Sequence, residues 1–128
     1  MSSLLLSLVI EGAPRTKKTS NRVLRFGKRN KIVPSEQHQR WHAAAMPQAK
    51  VGRCGPALTC EVNCRALFFR DALRGDAVGY YQALADLLEH AGIVENDRLI
   101  VSWDGSRLKK DAARPRIEVE LWTSDGGT

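Results

Sequence analysis

The chain has 128 residues, 20 Lys+Arg against 14 Asp+Glu, a formal net charge of +6 and 43% hydrophobic residues. This is one domain's worth of core and excludes a disordered chain; the longest apolar run, Leu4 to Ile10, is broken by Ser7 and far short of the ~20 residues of a membrane span, and it lacks the basic flank and cleavage site of a signal peptide. Three cysteines cannot complete a disulfide framework, which fits a reducing cytoplasm, and the basic balance leans towards a polyanionic partner.

In chain order, Leu4 to Ile10 has strand length and no helix cap, and reads as a buried first strand. From Gly12 to Ser35 no acidic residue occurs, while Arg15, Lys17, Lys18, Arg22, Arg25, Lys28, Arg29 and Lys31 all fall there. So dense a block of one sign repels itself unless a polyanion neutralises it, so these eight are candidate contacts to nucleic-acid phosphate. Gly27 and Asn30 are turn residues for a basic loop or hairpin. Ser35 offers an N-cap and Glu36 a first-turn negative charge for a helix that Pro47 should stop near Met46. Gly52 to Pro56 reads as a loop.

From Ala57 to Phe69, Leu58, Cys60, Val62, Cys64, Ala66 and Phe68 alternate with polar residues, as in one long strand. Asp76 to Ala91 predicts a helix with Tyr80, Leu84, Leu87, Leu88 and Ala91 on its apolar stripe and Gly79, Gln82, Asp86 and Glu89 opposite. Gly92 closes it as a left-handed residue. Two further alternations predict an antiparallel pair of strands joined by the Gly105 to Pro115 loop. Arg98 to Trp103 turns Leu99, Val101 and Trp103 inward, and Arg116 to Trp122 turns Ile117, Val119 and Leu121 inward. The expected fold is an α+β two-layer sandwich: a mixed sheet of about four strands, two helices and a basic N-terminal flap in a single domain, residues 1–123, with a frayed tail at 124–128.

Few residues carry chemistry on spacing alone. His38 and His42 are one helical turn apart, a metal-ligand spacing, but no third ligand is evident and they read as polar helix surface beside Trp41. Cys60 and Cys64 lie ~13 Å apart on an extended strand, too far to share zinc, and read as small core residues. Cys54 has no evident partner to activate it. Asp76 reads as an N-cap and Asp97 as a turn residue, yet two or three converging carboxylates could bind Mg²⁺ and activate water against a phosphodiester.

The stretch Arg74-Gly75-Asp76-Ala77-Val78-Gly79-Tyr80-Tyr81-Gln82-Ala83-Leu84-Ala85-Asp86-Leu87-Leu88 resembles the D-x-D-N-x-x-K-x-x-x-D-x-L pattern of the RusA family of Holliday-junction resolvases. Gly92-Ile93-Val94-Glu95-Asn96-Asp97-Arg98-Leu99-Ile100 resembles the G-x-x-x-D-D-x-x-V that follows it, at the same spacing. The resemblance extends over nearly the whole chain. It implies a small homodimeric, Mg²⁺-dependent endonuclease that cuts four-way DNA junctions in recombination and repair, of a kind common in prophages. It places Asp76 and Asp97 on two catalytic, metal-binding carboxylates. The other family aspartate is Val78 here, the Asn is Gly79, the catalytic Lys is Gln82 and the first of the paired aspartates is Asn96.

Asp71 and Glu95 are the candidate replacement ligands, ranked above Asp104, while Asp86 is structural. Lys109 and Lys110 join the N-terminal basic residues as candidate DNA contacts. Two alternatives stand beside the nuclease: a catalytically weak or inactive junction binder on the same scaffold, and a structural duplex-RNA-binding protein.

Overall fold

The structure, a computed structural model, describes residues 2–17, 21–26, 29–34, 36–53 and 55–124. In order come β1 (Leu4–Glu11), β2 (Asn21–Phe26), β3 (Arg29–Pro34), α1 (Glu36–Gly52), β4 (Val62–Arg70), α2 (Ala77–His90), a 3-10 turn (Asp97–Leu99), β5 (Ile100–Ser102), β6 (Arg107–Lys110) and β7 (Arg116–Thr123). The main sheet has five strands in the order β1-β7-β4-β5, with β6 also on β4, and β2 and β3 form a separate two-stranded sheet. The chain is therefore α+β, with a mixed sheet and two helices.

The register of the three long strands explains the core. Leu6, Leu121 and Cys64 align in one cross-strand row, Leu8, Val119 and Ala66 in the next, and Ile10, Ile117 and Phe68 in a third. All nine are buried and belong to one cluster with Trp41, Ala45 and Ala49 of α1 and Tyr80, Ala83, Leu84, Leu87 and Leu88 of α2. Burial of each large apolar side chain contributes about 1.5–3 kcal/mol. The opposite sheet face carries ion pairs instead: Arg65 with Glu120, and Arg116 with both Asp111 and Glu118. The Arg116 guanidinium also lies 3.8 Å from the Phe69 ring centroid.

Several expectations need correction. The first helix does not stop near Met46 but runs through Pro47 to Gly52. Tertiary contacts override the proline: Ala45 and Ala49 are fully buried on either side of it. Gln48 is held to β1, accepting from Glu11 N and donating to Glu11 O at 2.7 and 3.1 Å. The expected Ser35 cap lies outside the described residues. Asn30 is not a turn residue but pairs with Arg25 within the hairpin. The long strand begins only at Val62. Before it, Leu58 makes a single parallel bridge to Val94, and Cys60 is exposed rather than in the core.

Around α2 the expected stripe is buried, but Gly79 is buried too, where the sequence put it on the polar side. A Cβ there would stand 3.2–3.3 Å from the Thr16 side chain, so close packing of the N-terminal segment explains it. Gly92 takes φ +76°, as the left-handed closure requires.

The expected antiparallel pair of Arg98 to Trp103 with Arg116 to Trp122 does not form. Asp97–Leu99 is a 3-10 turn, and β5 and β6 both run parallel to β4. Trp103 packs on the core as expected, but Ile100 does so in place of Val101, which is exposed. The loop expected at Gly105 to Pro115 contains β6. Ser124, expected to fray, donates its N–H to Glu61 O, and residues 125–128 lie outside the described set.

Candidate functional site

The basic segment folds as an antiparallel hairpin, with Arg22 opposite Val33, Leu24 opposite Lys31 and Phe26 opposite Arg29. Its backbone thus brings Arg22, Arg25, Arg29 and Lys31 onto one short two-stranded ribbon. Lys18 and Lys28 lie outside the described residues. The other two expected DNA contacts are engaged with the body of the protein. Arg15 makes a bidentate pair with Asp71, Nη1 to Oδ1 at 3.0 Å and Nη2 to Oδ2 at 3.1 Å. Lys17 Nζ sits 2.6 Å from Asp86 Oδ2 on α2. These two pairs fasten the segment leading into the hairpin to the β4–α2 turn and to the helix.

Asp71 is therefore a counter-ion rather than a vacant metal ligand. The hydrogen bond from Arg15, aided by the charges of Arg15 and Arg74, holds its carboxyl below the usual carboxylate range. Asp76 caps α2, its Oδ1 accepting from Gly79 N at 2.8 Å. It is positioned by the tight turn at Gly75, whose φ is +76°, and by Tyr80, whose hydroxyl donates to Arg74 O at 2.8 Å.

Asp97 is held beside α2, its backbone N–H donating to Glu89 Oε1 at 2.9 Å. Glu95 is exposed, its backbone N–H bonded to Leu58 O. Among the described residues, no three His, Cys, Asp or Glu side chains stand together so as to hold a metal ion.

What does converge is a shallow depression between α2 and β5, lined by Val78, Tyr81, Gln82, Ala85, Asp97, Ile100 and Trp103. Its floor is aromatic: the Tyr81 and Trp103 rings stack at 4.5 Å with 6° between planes. Val78 and Gln82, the positions where the family carries Asp and Lys, thus share one depression with the retained Asp97. The rim beyond Trp103 is fixed by Asn63, whose side chain donates to Asp104 O and accepts from Asp104 N and Ser102 Oγ. Asp104 itself points no carboxylate into the depression's lining.

On β6, Lys109 and Lys110 are exposed, and among the described residues neither is in an ion pair. The β6 backbone is anchored from beneath by buried Arg70, whose Nε donates to Lys109 O at 3.1 Å.

The histidines behave differently from the sequence reading. His38 is buried and His42 half-buried, and His90 from α2 meets them. No protein-family model and no curated protein sequence matches the chain. Among the described residues no helix is long and apolar enough to cross a membrane.

Proposed function

We propose that the protein is a cytoplasmic, dimeric binder of branched DNA, a four-way junction above all, built on a RusA-like nuclease scaffold. The observation that carries this reading is the acid-free basic segment, which folds as a hairpin separate from the main sheet and is tied down at its root by two ion pairs. Those pairs leave Arg22, Arg25, Arg29 and Lys31 on the hairpin, with Lys109 and Lys110 on β6, as the cations for phosphate. A twofold protein matches a twofold junction. The free thiols of Cys60 and Cys64 agree with a reducing compartment.

A second reading, a Mg²⁺-dependent resolvase in which Asp76 and Asp97 are catalytic, is favoured by one observation: Asp97 shares its depression with residues 78 and 82, the positions the family motif uses. Against it stand the missing carboxylate at Val78, the missing cation at Gln82 and the capping role of Asp76. One experiment separates the readings. The protein is incubated with a synthetic four-way junction, with linear DNA duplex and with RNA duplex, with and without Mg²⁺, and both binding and strand cleavage are followed. The binder predicts tight, salt-sensitive junction binding without nicking. Paired nicking that needs Mg²⁺ and vanishes in Asp97→Asn establishes the resolvase instead. Preference for the RNA duplex overturns both.

A further inference from the structure

All three histidines of the chain line a single depression between the two helices, with Lys17, Gln39 and Ala43 completing its wall. His42 on α1 and His90 on α2 face each other directly, Nε2 to Nδ1 at 3.4 Å, with ring planes 77° apart. Two nitrogens each about 2.05 Å from a tetrahedral ion stand roughly 3.3 Å apart. The observed separation is thus that of two imidazoles on one borderline transition-metal ion. We propose that His42 Nε2 and His90 Nδ1 form an interhelical site for a divalent transition-metal ion such as Zn²⁺ or Ni²⁺, with water completing its coordination, and that the ion pins α1 to α2. The site is independent of the DNA reading and of the carboxylates discussed above.

The chemistry of the surroundings agrees. Imidazole nitrogen suits zinc, nickel and copper, whereas magnesium prefers oxygen. A ligand must be neutral, and His42 is held below the ordinary histidine range, first by desolvation and then by the neighbouring His90, His38 and Lys17, with Asp86 opposing. The nearby ammonium of Lys17 would repel a cation, but it is paired with Asp86 at 2.6 Å. His38 stands one turn away, its ring centroid 6.1 Å from that of His42 and its Nδ1 3.3 Å from Arg15 O. That contact holds the Nδ1 side of the ring against the N-terminal segment, and the proposed pair is His42 and His90 alone. Both rings are neutral, each with one N–H; for the ion to bind, a ring with its N–H at the facing nitrogen takes its other tautomer, that proton passing through water to its distal nitrogen.

The test uses the full chain stripped of metal with a chelator, carrying Cys54→Ser and Cys60→Ser so that thiols do not compete. Thermal melting and calorimetric titration are run with Zn²⁺, Ni²⁺ and Mg²⁺. The expected result is a rise in melting midpoint with Zn²⁺ and Ni²⁺, none with Mg²⁺, and at least tenfold weaker ion binding in His42→Gln and in His90→Gln. His90 is exposed, so His90→Gln is expected to fold, and this variant keeps the test valid if His42→Gln folds poorly. His38→Gln retains the ion-induced rise. An unchanged rise in the His42→Gln/His90→Gln double variant, or no rise with either transition ion in the parent, overturns the site.

Discussion

The three-stranded heart of the main sheet and the β2–β3 hairpin are both antiparallel ladders, but different interactions support them. In the first, β1, β7 and β4 stack buried residues in three matched rows beneath two helices. In the second, two six-residue strands pair, among the described residues, only with each other, and an isolated two-stranded hairpin has little stability of its own. The hairpin instead has its root clamped, by Arg15 on Asp71 and Lys17 on Asp86. The contrast shows how a small domain can carry a self-repelling charge block without putting its core at risk. On the proposed reading, stability and polyanion binding would reside in separate ladders.

That separation can be broken or sharpened by substitution, starting where the effect on stability is greatest. Phe68→Ala empties the β4 end of the third row and should cost about 3–5 kcal/mol, read as a large drop in the denaturant midpoint. Gly75→Ala should cost about 1–3 kcal/mol, because the residue has positive φ and a Cβ would come within 2.8 Å of the Tyr80 ring. That loss would also disturb the Asp76 cap.

Asp71→Asn tests the clamp. Because Arg15 depresses the Asp71 pKa in the folded state, the stabilisation is complete above the unfolded carboxylate value of about 3.9. It declines as pH falls below that value and is gone once pH passes the folded value. Urea melts between pH 7 and pH 2 should show the wild type losing more stability on acidification than Asp71→Asn does. The smallest effect on stability is expected from the hairpin itself. Replacing Arg22, Arg25, Arg29 and Lys31 by Ala should leave the melting midpoint nearly unchanged. The same variant should flatten the slope of log binding constant against log salt by about 3–4 on duplex or junction DNA. A melting loss as large as that of Phe68→Ala would show that the two ladders are not separate.

Much of the core was legible in the sequence because its signals are local and periodic. The alternation at Val62 to Phe68, the stripe from Tyr80 to Leu88 and the alternation at Ile117 to Leu121 each name their buried face directly. The exposed edge was not legible. β6 reads Arg-Leu-Lys-Lys, with no apolar alternation, and its pairing depends on the outer edge of β4 rather than on its own residues. Pro47 misled because the contacts that carry α1 past it come from β1.

The candidate site was less legible still, for the same reason. Arg15 meets Asp71 at a separation of 56 residues, Lys17 meets Asp86 at 69 and His42 meets His90 at 48. Composition identified the cations correctly as a block, but which of them are already neutralised is decided by partners far along the chain.

The parallel attachment of β5 and β6 to β4 also bears on the order in which the molecule assembles. Parallel partners cannot zip up from a tight turn; the chain must first leave β4, build α2 and return. These pairs therefore wait for the intervening helix to be built. β5 and β6 are also short, three and four residues, so this edge should be the first part of the main sheet to open in native-state hydrogen exchange. The Trp103 wall of the depression rides on it, so Asp97 and Gln82 share a surface only while that edge is closed.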